Sequence, residues 1–84
     1  VGSILDAEGP TVYPNPATTT IYMDAQDWLG SDVRVFDASG KLIDRFVMRT
    51  ASEAIDVSNW SPGLYTISTV HRTLGFSQQR LIVE

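Results

Sequence analysis

Asn59-Trp60-Ser61-Pro62-Gly63-Leu64-Tyr65 is the stretch on which the fold turns. Pro62 removes a backbone donor and holds φ near its ring value, so a strand cannot run through it. Gly63 then lets the chain bend. A tyrosine just past such a bend can fold its hydroxyl back onto the corner and satisfy a backbone group that the bend left unpaired. This is the tyrosine corner of Greek-key sandwiches, and Tyr65 is its candidate here. Trp60 is placed to plug the corner with apolar bulk.

Working outward, Ala54 to Ser58 alternates, with Ile55 and Val57 on one face and Asp56 on the other. Leu64 to about His71 forms the strand leaving the corner, Arg72-Thr73-Leu74-Gly75 reads as a turn, and Phe76 to Glu84 as a final strand. Upstream, Thr19 to Asp24 alternates through Ile21 and Met23, and Asp32 to Asp37 through Val33 and Val35. Period two in short β-branched and aromatic runs is a strand signal. Asp37-Ala38-Ser39-Gly40 suits a type I turn, with Asp first and Gly fourth. The return strand, Lys41 to about Arg49, is in conflict with itself. Leu42, Phe46 and Met48 share a face with Asp44, while Ile43 and Val47 share the other with Arg45 and Arg49, and a bulge would resolve this.

With a short strand at Thr11 to Tyr13, the count is about seven. The expected fold is all-β, a small antiparallel Greek-key sandwich of immunoglobulin-like type over residues 11–84. Residues 1–10 read as a linker remnant or an extra edge strand. Ala25 to Gly30 is too short for more than a loop or a single turn, with Trp28 folded under it as a lid on the core.

Eighty-four residues make one domain at most. A chain of this size hides only roughly 60–65% of its unfolded surface, which leaves little room for a deep catalytic cleft. A hydrophobic share of 43% against 19% charged residues is enough for one core. There is no cysteine, hence no disulfide and no thiolate metal site. Ten acids against six bases, a net charge of −4, disfavour phosphate backbones and anionic membranes as partners. No window approaches the roughly 20 apolar residues that span a bilayer, and Val1-Gly2-Ser3-Ile4-Leu5-Asp6 lacks the features of a signal peptide. The missing initial Met suggests a fragment of something longer.

The chain offers little chemistry. His71 is the only histidine and reads as a surface or boundary residue. No nucleophile elbow accompanies the serines. Asp24, Asp27 and Asp32 surround one loop, but their spacing matches no calcium loop and they read as solvated carboxylates. Asn59-Trp60-Ser61 has the glycosylation pattern, yet those residues are needed for the corner. Trp28, Trp60, Tyr13 and Tyr22 are candidates for a sugar-stacking platform, but are expected instead to plug the ends of the sandwich. No cofactor, metal site or catalytic residue is expected.

One more stretch stands out. Tyr13-Pro14-Asn15-Pro16 puts two prolines around an asparagine and breaks the ladder between strands. Together with Asp37-Ala38-Ser39-Gly40-Lys41, Ile55 to Ser58, Gly63-Leu64-Tyr65 and the closing Arg80-Leu81-Ile82-Val83-Glu84, it resembles the C-terminal sorting domain of the type IX secretion system of Bacteroidetes-type bacteria. The likeness runs from about Thr11 to Glu84. Trp60 stands where the family more often has an aliphatic residue, and Arg80 where lysine is commoner.

The resemblance implies a non-catalytic address label on a covalently linked N-terminal cargo. Such cargo folds in the periplasm and is led through an outer-membrane translocon to the cell surface or beyond. A sortase-like cysteine peptidase then removes the domain and attaches the cargo to lipopolysaccharide. Arg80, Leu81, Ile82, Val83 and Glu84 are the expected recognition residues, read by edge pairing or by a groove that takes the tip. Tyr13, Pro14, Asn15, Pro16, Asp37, Gly40, Lys41, Trp60, Pro62, Gly63 and Tyr65 would build the shape that presents them, the Lys41 side chain mattering least. The rival reading is a fibronectin-III-like or immunoglobulin-like accessory module of a secreted enzyme, a spacer or a glycan binder.

Overall fold

A computed structural model describes residues 10–24 and 26–84. The expectation for residues 1–9 lies outside the described residues. Seven strands form two antiparallel sheets: β1 (Thr11–Tyr13), β2 (Thr20–Asp24), β3 (Asp32–Phe36), β4 (Leu42–Val47), β5 (Ser52–Asp56), β6 (Gly63–His71) and β7 (Gly75–Val83). One sheet has the order β1-β2-β5 and the other β4-β3-β6-β7. The chain changes sheet between β2 and β3, between β4 and β5, and between β5 and β6. This is the Greek-key, immunoglobulin-like sandwich that the alternating runs predicted.

In β2, β3 and β5 the inward residues are those that the period-two reading singled out, and β6 and β7 add theirs. Ile21 and Met23 of β2, Val33 and Val35 of β3, Ile55 of β5 with Val57 beyond it, Tyr65 and Ile67 of β6, and Leu81 and Val83 of β7 form one buried cluster. Trp28, on a 3-10 turn at Gln26–Trp28, closes the cluster as the expected lid.

The conflict in β4 is resolved by a bulge. Val35 pairs with Asp44 but Phe36 pairs with Leu42, so Ile43 is the extra residue. The slip sends Leu42 to the outer face opposite Phe36 while Phe46 and Met48 stay against the core, because shifting register by one residue exchanges the faces. The β3–β4 turn has the expected form. The Gly40 N–H donates to the Asp37 carbonyl at 2.9 Å, and Gly40 takes φ +90°, which only glycine adopts without strain.

The corner forms as well. The Tyr65 hydroxyl donates to the Ser61 carbonyl at 2.5 Å, and the Trp60 ring lies 5.1 Å from the Tyr65 ring. Trp60 is half-buried against the core.

One expectation about aromatic residues needs correction. Tyr13 and Tyr22 do not plug the sandwich. They lie on the outer face of the three-stranded sheet, each 42% exposed, with rings 5.7 Å apart. The residues on either side of Tyr22 decide this: Ile21 and Met23 take the core face, and strand alternation sends Tyr22 out. Tyr13 is its register partner and follows it. Nor do the four aromatics make a platform, since Trp28 is buried and Trp60 half-buried in the corner.

Candidate recognition surface

The Pro14-Asn15-Pro16-Ala17 segment links the two sheets. β1 pairs with β2 in the three-stranded sheet, and the chain then crosses through two cis X–Pro bonds to the outer edge of β7 in the other sheet. There the Asn15 side chain substitutes for backbone. Its amide donates to the Arg80 carbonyl at 3.0 Å, and its oxygen accepts from the Ile82 N–H at 3.0 Å. Ala17 continues the edge with real backbone: its N–H donates to the Ile82 carbonyl, and its carbonyl accepts from the Glu84 N–H, both at 2.8 Å. Ala17 and Val83 thus form a parallel bridge, and the Ala17 side chain is buried.

This strap explains the residue types. Asparagine carries a donor and an acceptor spaced like a peptide group, so one side chain can satisfy two neighbouring strand groups. The flanking prolines have no N–H to offer outward, so no further strand can extend the sheet through them. Farther along the same edge, the Gln79 side-chain amide donates to the Pro10 carbonyl. We expect Asn15→Ala to leave the fold intact but to lower stability by about 1 kcal/mol, because the two freed groups face water. Thermal denaturation measures this directly.

The five closing residues separate by parity. Leu81 and Val83 point into the core, whereas Arg80, Ile82 and Glu84 are exposed on the outer face of the four-stranded sheet. Only those three side chains of the expected recognition set are available to a partner. Their backbone edge is occupied by the strap, so a strand could pair there only by displacing Asn15 and Ala17.

Beside Arg80 and Ile82, the register partners Thr66 and Leu64 complete the surface, and Phe36 lies next to Thr66 on β3. Leu64 is 42% exposed and Ile82 47%. A shallow depression runs from this row to the β3–β4 turn, lined by Phe36, Leu64, Thr66, Gln78 and Arg80. Asp37, Gly40 and Lys41 shape its rim through the turn, in which the Asp37 carboxylate accepts from the Ser39 hydroxyl at 2.7 Å and from the N–H groups of Ser39 and Lys41 at 2.9 Å. Lys41 contributes backbone here. Pro62 and Gly63 deliver β6 to Leu64 and Tyr65 beside the same turn.

Several other titratable groups serve structure. Asp32 pairs with Arg45 and Arg34, each at 3.1 Å. The His71 Nδ1 accepts from the N–H groups of Thr73 and Leu74 at 3.0 Å and so caps the β6–β7 turn. Among the described residues no cluster of side chains is arranged to hold a metal ion, and no helix is long and apolar enough to cross a membrane. Asp24 accepts from the Tyr13 hydroxyl at 2.9 Å.

Several carboxylates are held below their ordinary values. The Arg45 hydrogen bond does this at Asp32, the Ser39 hydroxyl at Asp37, the Arg49 N–H at Glu53 and Ser58 at Asp56. For a depressed carboxylate the stabilisation is present above its unfolded value and lost as pH falls through the folded one. The domain should therefore hold its melting temperature at neutral pH and lose it below the ordinary values of 3.8 for Asp and 4.5 for Glu. A pH series of thermal melts tests this, and solvent exposure keeps each contribution small.

An immunoglobulin-like sandwich whose last strand is sealed by its own N-terminal strap is the class of protein that this geometry defines. The chain belongs to the secretion system C-terminal sorting domains: that family's model matches residues 11–84. It is thus a type IX secretion sorting domain, the family that the motifs resemble, and such a domain marks a secreted or cell-surface protein and engages the secretion machinery. Among solved structures it is similar to PorZ, described as an essential bacterial surface component of the type-IX secretion system of Porphyromonas gingivalis. The TM-score is 0.76 at 20% identity, over 99% of this chain and 12% of that one. That likeness is one of fold, and the chain spans only a small part of PorZ. No curated protein matches it.

Proposed function

We propose that this domain is a non-catalytic C-terminal address label. It directs a covalently linked N-terminal cargo from the periplasm through the outer-membrane type IX translocon, after which a sortase-like cysteine peptidase removes it and attaches the cargo to the surface. Arg80 to Glu84 form the part that the translocon reads, Leu81 and Val83 anchoring the strand and Arg80, Ile82 and Glu84 facing the reader. The family match over residues 11–84 carries this reading. Its support in the structure is that the strap and the corner converge on this one end of the sheet.

Deleting Arg80 to Glu84 from a fluorescent fusion, in a host that possesses this secretion route, should leave the reporter in the periplasm. Fractionation measures it, and normal export of the truncated fusion would refute the assignment. An accessory glycan-binding module would instead bind polysaccharide and export equally well without those residues.

A further inference from the structure

We infer that the secretion machinery reads this domain through the outer face of the four-stranded sheet, over Phe36, Leu64, Ile82 and Arg80, and not by adding a strand beside Arg80 to Glu84. The inference rests on the sorting reading and specifies its partner: a folded surface that offers an apolar side chain beside a carboxylate.

The edge beside Arg80 to Glu84 is closed first. Four consecutive outward groups of β7, from the Arg80 carbonyl to the Glu84 N–H, are taken by Asn15 and Ala17. The prolines of the strap then deny the next strand a donor. A partner pairing there must break these bonds and expose buried Ala17 before it gains any of its own. The side chains of the same strand need no such displacement.

The face has the chemistry of a docking site. Leu64 and Ile82 are directly paired across β6 and β7 and both open to solvent, with the depression toward Phe36 beside them. Arg34 and Arg45 are both tied to Asp32, whereas Arg80 has no ion pair among the described residues. Asp37, the acid that lines the depression, is turned to the N–H groups of its own turn. All six bases of the chain lie on this sheet or in the turns leaving its strands, against the four acids Asp32, Asp37, Asp44 and Glu84 there. The three-stranded sheet carries Asp24, Glu53 and Asp56 and no base. A chain that is acidic as a whole therefore presents a basic side, which orients an acidic partner toward Arg80.

The test compares export of reporter fusions carrying the full chain with Leu64→Glu, Arg80→Glu or Val70→Glu. Val70 is as exposed as Leu64 but lies at the other end of the same sheet, so it controls for a charge placed on the face. Loss of an apolar contact or reversal of a charge-assisted one should cut export about tenfold or more for Leu64→Glu and Arg80→Glu. Val70→Glu should export like the parent. Parental export of Leu64→Glu, or an equal fall in all three, overturns the face reading. Thermal melts of the variants exclude unfolding, and if Leu64→Glu fails to fold, the exposed Arg80→Gln decides instead. Raised export of Asn15→Ala, which opens the edge, would show strand addition and overturn it too. If deletion of Arg80 to Glu84 leaves export normal, the sorting assignment itself fails, whereas normal deletion behaviour with silent Leu64 and Arg80 variants sinks the face reading alone.

Discussion

Leu81→Ala lowers the unfolding free energy by about 2–5 kcal/mol, the range for emptying a fully buried leucine site. Leu81 has no exposure at all, sits opposite Tyr65 in the β6–β7 ladder and lies between the two strap contacts on its own strand. A domain of this length has a stability of only roughly 4–13 kcal/mol, so the loss is a large share of the whole. The melting temperature should fall by about 4–8 °C for each kcal/mol, as circular dichroism would record. The functional consequence differs in kind from that of Arg80→Glu. Leu81→Ala should impair export through loss of folded domain, seen as lowered stability and increased proteolysis. Arg80→Glu should impair it with the melt unchanged. If Leu81→Ala melts like the parent, β7 is not locked to the core in the way its burial indicates.

Tyr65 should give the second largest effect, and two variants separate its two roles. Tyr65→Ala removes a buried ring that packs against Trp60 and the core, at a cost of about 3–5 kcal/mol. Tyr65→Phe keeps the ring and loses only the hydrogen bond to the Ser61 carbonyl, at a cost of about 1–3 kcal/mol. Denaturant unfolding of both variants yields the difference, which is the contribution of the ring. Equal stabilities of Tyr65→Phe and the parent would mean that the corner is held by Trp60 packing and Pro62 geometry alone.

The corner residues also account for how much of this molecule was legible before any coordinates. Ile21, Met23, Val33, Val35, Ile55 and Val57 alternate strictly with polar neighbours, and two-residue periodicity assigns them to one face whatever the partners are. Asp37-Ala38-Ser39-Gly40 and Asn59 to Tyr65 specify their bends through local chemistry that acts within a few residues. Even the bulge in β4 was foreshadowed by the clash between its two apolar sets.

The closing strand was legible only in part. Its wording identified Arg80 to Glu84 as a unit, yet the fate of its edge depends on residues more than sixty positions away. Nothing in Pro14-Asn15-Pro16 announces that its asparagine will stand in for a strand, because that role exists only once both sheets have closed. Tyr13 and Tyr22 were misplaced for a related reason: aromatic size argues for burial, but alternation around Ile21 and Met23 overrides it.

Local pattern alone thus determined the strands, the turns and the corner, since these rest on spacing and on backbone preferences that act over a few bonds, while the family was legible by the resemblance of its ordered motifs. Only the tertiary structure decided which stretch of edge is sealed, which three of the closing side chains face outward and that Arg80 stands beside the depression with no ion pair among the described residues. Those outcomes depend on long-range hydrogen bonds and ion pairs whose partners become neighbours only when the sandwich is assembled.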